Sequence, residues 1–153
     1  GCANEEAMVM LQEVQSVESV KNYVDQKLEN KEKIMGFGYA VYYVRDPRSD
    51  IIKDFSQKLS QDHTDKLLHD IAEEMETYMW KLKKLFPNTD FFHAPAYHYI
   101  GIPTKLFTPL FAIARIVGWS AHAFEQRGNN RIIRPSADYI GPEDREWIDI
   151  KSR

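Results

Sequence analysis

Apolar residues recur along this chain at steps of three and four, the spacing of helices that bury one face. Ala7, Met8, Leu11 and Val14 make one such face behind Asn4, which can cap a first helix with Glu5 and Glu6 in its opening turn. Ser16 can cap a second, along which Val17, Val20, Val24 and Leu28 recur, and the polar run 29–33 ends it. The turn Arg45-Asp46-Pro47-Arg48 leads into a third helix faced by Ile51, Ile52, Phe55 and Leu59. The fourth has the clearest period, through Leu67, Leu68, Ile71, Met75, Tyr78, Met79, Leu82 and Phe86, and Pro87-Asn88 stops it. Asp90 stands where an N-cap belongs, ahead of a fifth helix over 91–100 that Gly101 and Pro103 terminate. A sixth, 104–126, is apolar nearly all round, the pattern of a helix enclosed on every side.

Two stretches break the helical period. Residues 34–44 carry Gly36 and Gly38 among aromatic and β-branched residues, which predicts a loop with one short extended piece. From Gly128 onward the chain reads as an irregular, extended arm. The predicted fold class is all-α, without internal repeats, low-complexity tracts or interior linkers.

A chain of 153 residues is one ordinary domain or a piece of a larger one. With 20 Lys+Arg against 23 Asp+Glu, a formal charge of -3 argues against a nucleic-acid surface. One cysteine, Cys2, excludes an internal disulfide framework and a cysteine-based zinc cage, and it fits a reducing cytosol. The start, Gly1-Cys2-Ala3-Asn4-Glu5-Glu6, has no secretory pattern and no Met, so a processed, engineered or truncated chain is expected. The only membrane candidate, 106–124, carries Pro109, Arg115 and His122, which favours a buried helix without membrane contact.

Few residue patterns carry chemistry by themselves. The nearest histidine pair, His93 and His98, would lie about 140° apart around a helix, so no metal chelate is expected. Cys2 has no local histidine partner for nucleophilic catalysis. Gly36-Phe37-Gly38 can bring backbone N–H groups to an anion or a flat base, or can simply be a tight loop. Taken singly, Asp90 is a helix cap, and Arg48 and Arg134 are surface residues. Arg115 is different. In the middle of a buried apolar helix its guanidinium requires an anion, either a carboxylate side chain or a bound acid.

Together these pieces resemble the citrate synthase family over essentially the whole chain. Gly1-Cys2-Ala3-Asn4-Glu5 is similar to the family's His-Gly-Gly-Ala-Asn-Glu entered one residue late. Gly36-Phe37-Gly38-Tyr39-Ala40-Val41-Tyr42 with Asp46-Pro47-Arg48 resembles the Gly-Phe-Gly-His-x-Val-Tyr…Asp-Pro-Arg block. Phe86-Pro87-Asn88-Thr89-Asp90-Phe91-Phe92, Gly101-Ile102-Pro103-Thr104 and Phe111-Ala112-Ile113-Ala114-Arg115 follow in family order. The segment Asn129-Asn130-Arg131-Ile132-Ile133-Arg134-Pro135-Ser136-Ala137-Asp138-Tyr139 with Gly141-Pro142-Glu143 is most similar to the 2-methylcitrate synthase branch.

The resemblance implies a C-terminal portion of an acyltransferase that condenses propionyl-CoA or acetyl-CoA with oxaloacetate, giving 2-methylcitrate or citrate plus CoA. It implies a small helical domain over 1–103 and the last large-domain helix and arm over 104–153. Asp90 would be the base. The family histidine that polarises the oxaloacetate ketone is Tyr39 here, a departure that puts rate and substrate choice in question. Arg48 and Arg115 would hold carboxylates, with Arg134 reaching in from the other subunit of a homodimer. Gly36, Phe37 and Gly38 would pack around the adenine of CoA, with Lys83 and Arg45 available to its phosphates. No permanent cofactor and no metal are implied; acyl-CoA is a substrate. The enol-stabilising histidine would directly precede Gly1, so the isolated chain is expected to be inactive. Cytoplasmic location is implied, or the mitochondrial matrix in a eukaryote. The rival expectations are a CoA- or dicarboxylate-binding pseudoenzyme, which Tyr39 favours, and a helical module that binds nothing.

Overall fold

The computed structural model describes residues 3–42, 44–142 and 146–152. Cys2 and the motif residues Gly1 and Glu143 lie outside the described residues. Among the described residues six α-helices follow in order: α1 (Ala3–Glu13), α2 (Val20–Glu29), α3 (Pro47–Asp62), α4 (Leu67–Lys83), α5 (Thr89–Tyr99) and α6 (Phe107–Gly128). Short 3-10 turns precede α2 and α6. No strand forms among the described residues; Phe37 and Pro87 make an isolated antiparallel bridge, the one extended piece expected of the 34–44 loop. The all-α expectation holds.

The chain divides into two compact units, Gly1–Val117 and Gly118–Arg153. In the first, Met8, Leu11, Val20, Val24, Ile71, Met75, Met79, Phe91, Phe92 and Phe107 form the buried core. Burying side chains of this size contributes roughly 1.5–3 kcal/mol each, so α1, α2, α4 and α5 are held chiefly by this cluster. In the second unit, residues 130–140 have no regular secondary structure and are exposed, the irregular part of the arm expectation.

Four expectations need correction. Asn4 does not cap α1: the helix already includes Ala3, and Asn4 is fully buried with neither amide atom hydrogen-bonded among the described residues. Asp90 does not cap α5, because Asn88 takes that position and accepts the Asp90 N–H at 3.0 Å.

The third concerns α3. Ile51 and Phe55 are exposed, Ile52 and Leu59 are partly buried, and the fully buried side chains are Ser49, Ser56 and Ser60. α3 makes its most extensive contact with α5. Small side chains let two helix backbones approach closely, and each buried hydroxyl finds a partner: Ser49 donates to the Asn88 carbonyl at 3.2 Å, Ser60 to the Gln57 carbonyl at 2.7 Å, and Ser56 lies 2.9 Å from His69 Nδ1. The apolar stripe in the sequence therefore misled, because packing here rests on closeness rather than side-chain bulk.

The fourth concerns α6, whose apolar surface is not enclosed. Only Phe107 is buried, while Phe111, Ile113 and Val117 are exposed. A helix apolar on every side needs neighbours on every side; here the buried part of α6 is its start, where Phe107 packs edge-on against Tyr97 and Thr108 donates to Glu5 at 2.7 Å. Arg115 is accordingly exposed and meets water, so the burial cost expected for it does not arise. No helix among the described residues is long and apolar enough to cross a membrane.

Candidate active site

The loop 36–38 is laced to the α4–α5 connection. Gly36 and Gly38 take φ of +82° and +76°, a region that side-chain-bearing residues rarely adopt. A Cβ on Gly36 would stand 2.7 Å from the Phe91 Cβ, so glycine is also required there for space. The Gly38 N–H donates to the Phe86 carbonyl at 2.9 Å, and the Asn88 N–H donates to the Gly36 carbonyl at 2.8 Å. Phe37 sits between these bonds with its ring 4.5 Å from that of Phe91. The Asn88 amide nitrogen donates to the Gly38 carbonyl at 3.0 Å. One asparagine thus caps α5 with its oxygen and pins the loop with its nitrogen.

That arrangement leaves the Asp90 carboxylate free of capping duty, at the second position of α5 and half-buried. Burial pushes its pKa above the usual carboxylate value; the His93 and Arg48 charges pull it down, and Asp46 pushes it up. A carboxylate with raised proton affinity near a helix N-terminus can accept a proton from a weak carbon acid. His93, one turn later, has its pKa lowered mainly by burial. Its Nδ1 lies 2.6 Å from the Thr89 carbonyl, which makes Nδ1 the protonated nitrogen of the neutral ring.

Arg48 opens α3 behind the N-cap Asp46 and Pro47. Asp46 is fully buried, and it receives Arg48 Nε and Nη2, each at 3.0 Å. The Nε–Nη2 edge of the fork is thereby occupied, and a second carboxylate can be met through the Nη1–Nη2 edge. Tyr39 and Tyr42 stack at 5.4 Å and 26°, and the Arg48 guanidinium lies 5.5 and 5.7 Å from their centroids. The Arg48 pKa is raised, first by its hydrogen bonds to Asp46 and further by one to Tyr39.

Gly36, Phe37, Gly38, Tyr39, Arg48 and Asp90 are therefore joined through direct contacts, shared hydrogen bonds and mutual charge within the first unit. Arg115 lies on exposed α6 and is not among the charges acting on Asp90. Arg134 belongs to the second unit and is exposed. A cleft of about 430 Å³ beside the loop is lined by Lys33, Gly36, Phe37, Lys83 and Leu85, among others. Arg45 is paired with Asp50. No cluster of three or more metal-ligating side chains occurs among the described residues.

Sequence reasoning missed Asp46, Asn88, Tyr42, His93 and Lys33. Two of these carried a signal: an Asp before Pro and an Asn before Thr-Asp are helix-start patterns. The others are recognisable only once the loop and helices are assembled.

The family described as "Citrate synthase, C-terminal domain" matches residues 1–136. The chain belongs to the citrate synthase family. It is 54% identical over its full length to the 2-methylcitrate synthase of Shewanella oneidensis, and it spans 41% of that protein. It is 45% identical to "Citrate synthase 2" of Bacillus subtilis, again over all of this chain and 41% of that one. Among solved structures it resembles the citrate synthase of Thermoplasma acidophilum, described as a ternary complex with carboxymethyl coenzyme A and oxaloacetate. There the TM-score is 0.84 at 36% identity, covering 99% of this chain and 42% of that one. As a citrate synthase family member, the chain thus spans about two fifths of the length of the relatives it matches.

Proposed function

We propose that this chain supplies the base and the CoA-side surface of an acyltransferase joining propionyl-CoA to oxaloacetate, with acetyl-CoA as the other donor. The observation that carries this reading is Asp90: half-buried, relieved of capping by Asn88, raised in pKa, and set beside Arg48. The identity to the Shewanella oneidensis protein supports the 2-methylcitrate branch.

Asp90 takes a proton from the carbon next to the thioester carbonyl. The resulting enolate carbon attacks the ketone carbon of oxaloacetate; a carbon–carbon bond forms, the ketone π bond breaks, and its oxygen, left as an alkoxide, takes up a proton. Water then cleaves the thioester, releasing CoA. The Tyr39 phenol donates a hydrogen bond to the ketone oxygen as negative charge builds there. Arg48 holds one substrate carboxylate through the fork edge that Asp46 leaves open. Arg115 and Arg134 hold the other, Arg134 from the second subunit of a homodimer. The 36–38 loop packs on adenine, and Lys33 and Lys83 beside it suit the phosphates of CoA. The domain division in this reading is 1–103 and 104–153, and the setting is the cytoplasm.

A second reading, a pseudoenzyme that binds CoA or a dicarboxylate without condensing them, is favoured by one observation. Tyr39 is a phenol stacked on Tyr42 and engaged with Arg48. The deciding experiment assays the intact enzyme containing this chain with propionyl-CoA and oxaloacetate, beside its Asp90→Asn variant. Turnover that the variant abolishes supports the synthase. Tight CoA binding without turnover in either protein supports the pseudoenzyme.

A further inference from the structure

Asp46 is the one fully buried carboxylate among the described residues, and it stands where two helices begin. Its Oδ1 accepts the Arg48 backbone N–H at 3.1 Å and Arg48 Nε at 3.0 Å, and its Oδ2 accepts Nη2 at 3.0 Å. The backbone N–H of Thr89, at the start of α5, helps to hold the Asp46 carboxyl below its ordinary pKa. Its own backbone carbonyl accepts the Ser49 N–H at 3.0 Å, and the Ser49 hydroxyl reaches across to the Asn88 carbonyl at 3.2 Å. A helix cap needs one acceptor oxygen. Asp46 does more than that: it clamps a charged fork, and Ser49, whose N–H it accepts and whose hydroxyl reaches the Asn88 carbonyl, links it to the start of α5.

We infer that Asp46 is a positioning residue for the Arg48–Asp90 pair. Its buried carboxylate locks the Arg48 fork in one rotamer and fixes the start of α3 against the start of α5, so it sets how Arg48 is presented relative to Asp90. The inference rests on the reading of Arg48 and Asp90 as site residues. Its second consequence is electrostatic. The charged groups acting on Asp90 are His93 on its own helix, Arg48 on α3 and Asp46 at the head of α3. Asp46 opposes the pull of Arg48, and so keeps Asp90 basic in the presence of a nearby cation.

The test uses NMR of the chain with labelled arginine side chains and carboxyl carbons. In the wild type, the Arg48 Nε–H should be protected from exchange with water, and a signal exchanging as fast as a free arginine's overturns the clamp. In Asp46→Asn, which keeps a capping oxygen but loses the charge, the Arg48 Nε–H protection should disappear and the Asp90 titration should move to lower pH. A folded Asp46→Asn protein with both signals unchanged overturns the inference. If that variant does not fold, Asp46→Ser supplies the same two readings with the cap kept, and the wild-type exchange measurement stands without any variant. None of these readings depends on turnover, so an inactive enzyme with a protected Arg48 Nε–H would sink the proposed function while the Arg48 clamp itself stands.

Discussion

Asn88 caps the helix that carries Asp90, accepting the Asp90 N–H at 3.0 Å while its amide nitrogen holds the Gly38 carbonyl at the same distance. The candidate base and the glycine loop are thus linked through one side chain. Asn88→Ala should cost about 1–2 kcal/mol from the lost cap and loop bond, read as a lower urea midpoint. Asn88→Asp keeps the cap but cannot donate to Gly38, so it should recover only part of that loss.

Asp90→Asn should lower turnover of the intact enzyme by roughly 10²–10⁴-fold without lowering stability at neutral pH. The sign follows from the raised folded pKa. The folded state binds the Asp90 proton more tightly than the unfolded state. Its contribution is fully present below the unfolded value, near ~3.9, and is lost as pH rises through the folded value. Removing the charge should therefore raise Tm at pH 7 and leave it little changed at pH 3. A Tm that falls at pH 7 contradicts this.

Gly36→Ala and Gly38→Ala should differ. Both put a side chain at positive φ, but at Gly36 the new Cβ also meets the Phe91 backbone and side chain, whereas at Gly38 the nearest atom is Leu85 Cδ2 at 3.8 Å. Chemical denaturation should show about 1 kcal/mol lost at Gly38 and on the order of 2–4 kcal/mol at Gly36 from strain and overpacking combined.

Tyr39→Phe should cut turnover by roughly 10²-fold or more, the loss of one donor to a developing oxyanion. Tyr39→His restores the donor type that the family resemblance leads one to expect. A large gain in rate in the intact enzyme would mark the site as a weakened synthase, and no gain would mark it as adapted to another use.

His69 should make the first unit acid-sensitive. Burial lowers its pKa, with Glu73 and Asp70 pulling the other way and Lys53 adding to the lowering. The depressed value means stability is present above the unfolded histidine pKa, near ~6.5, and is lost as pH falls through the folded value. His69→Gln, which can still bond to Ser56, should flatten the fall in Tm between pH 7 and pH 5 measured by circular dichroism.

The periods through α1, α2 and α4 were legible because an amphipathic helix writes its buried face into the order of its residues. Met75 and Met79 are buried where the pattern puts them. The same rule failed on α3, where serines rather than Ile51 and Phe55 face inward, because a close helix contact selects small side chains and leaves no apolar stripe. It also failed for burial on α6, because an apolar surface states a need for neighbours without supplying them. Family membership could be read from the order and spacing of short motifs, since those motifs are continuous in the chain. The tasks of Asp46 and Asn88 could not. Each acts on groups that lie far apart in sequence: Asp46 is tied through Ser49 to Asn88, and Asn88 joins Gly38 with Asp90. Such hydrogen bonds exist only after the helices pack, so the tertiary structure alone decided which polar residue caps, which clamps, and which carboxylate is left free to act.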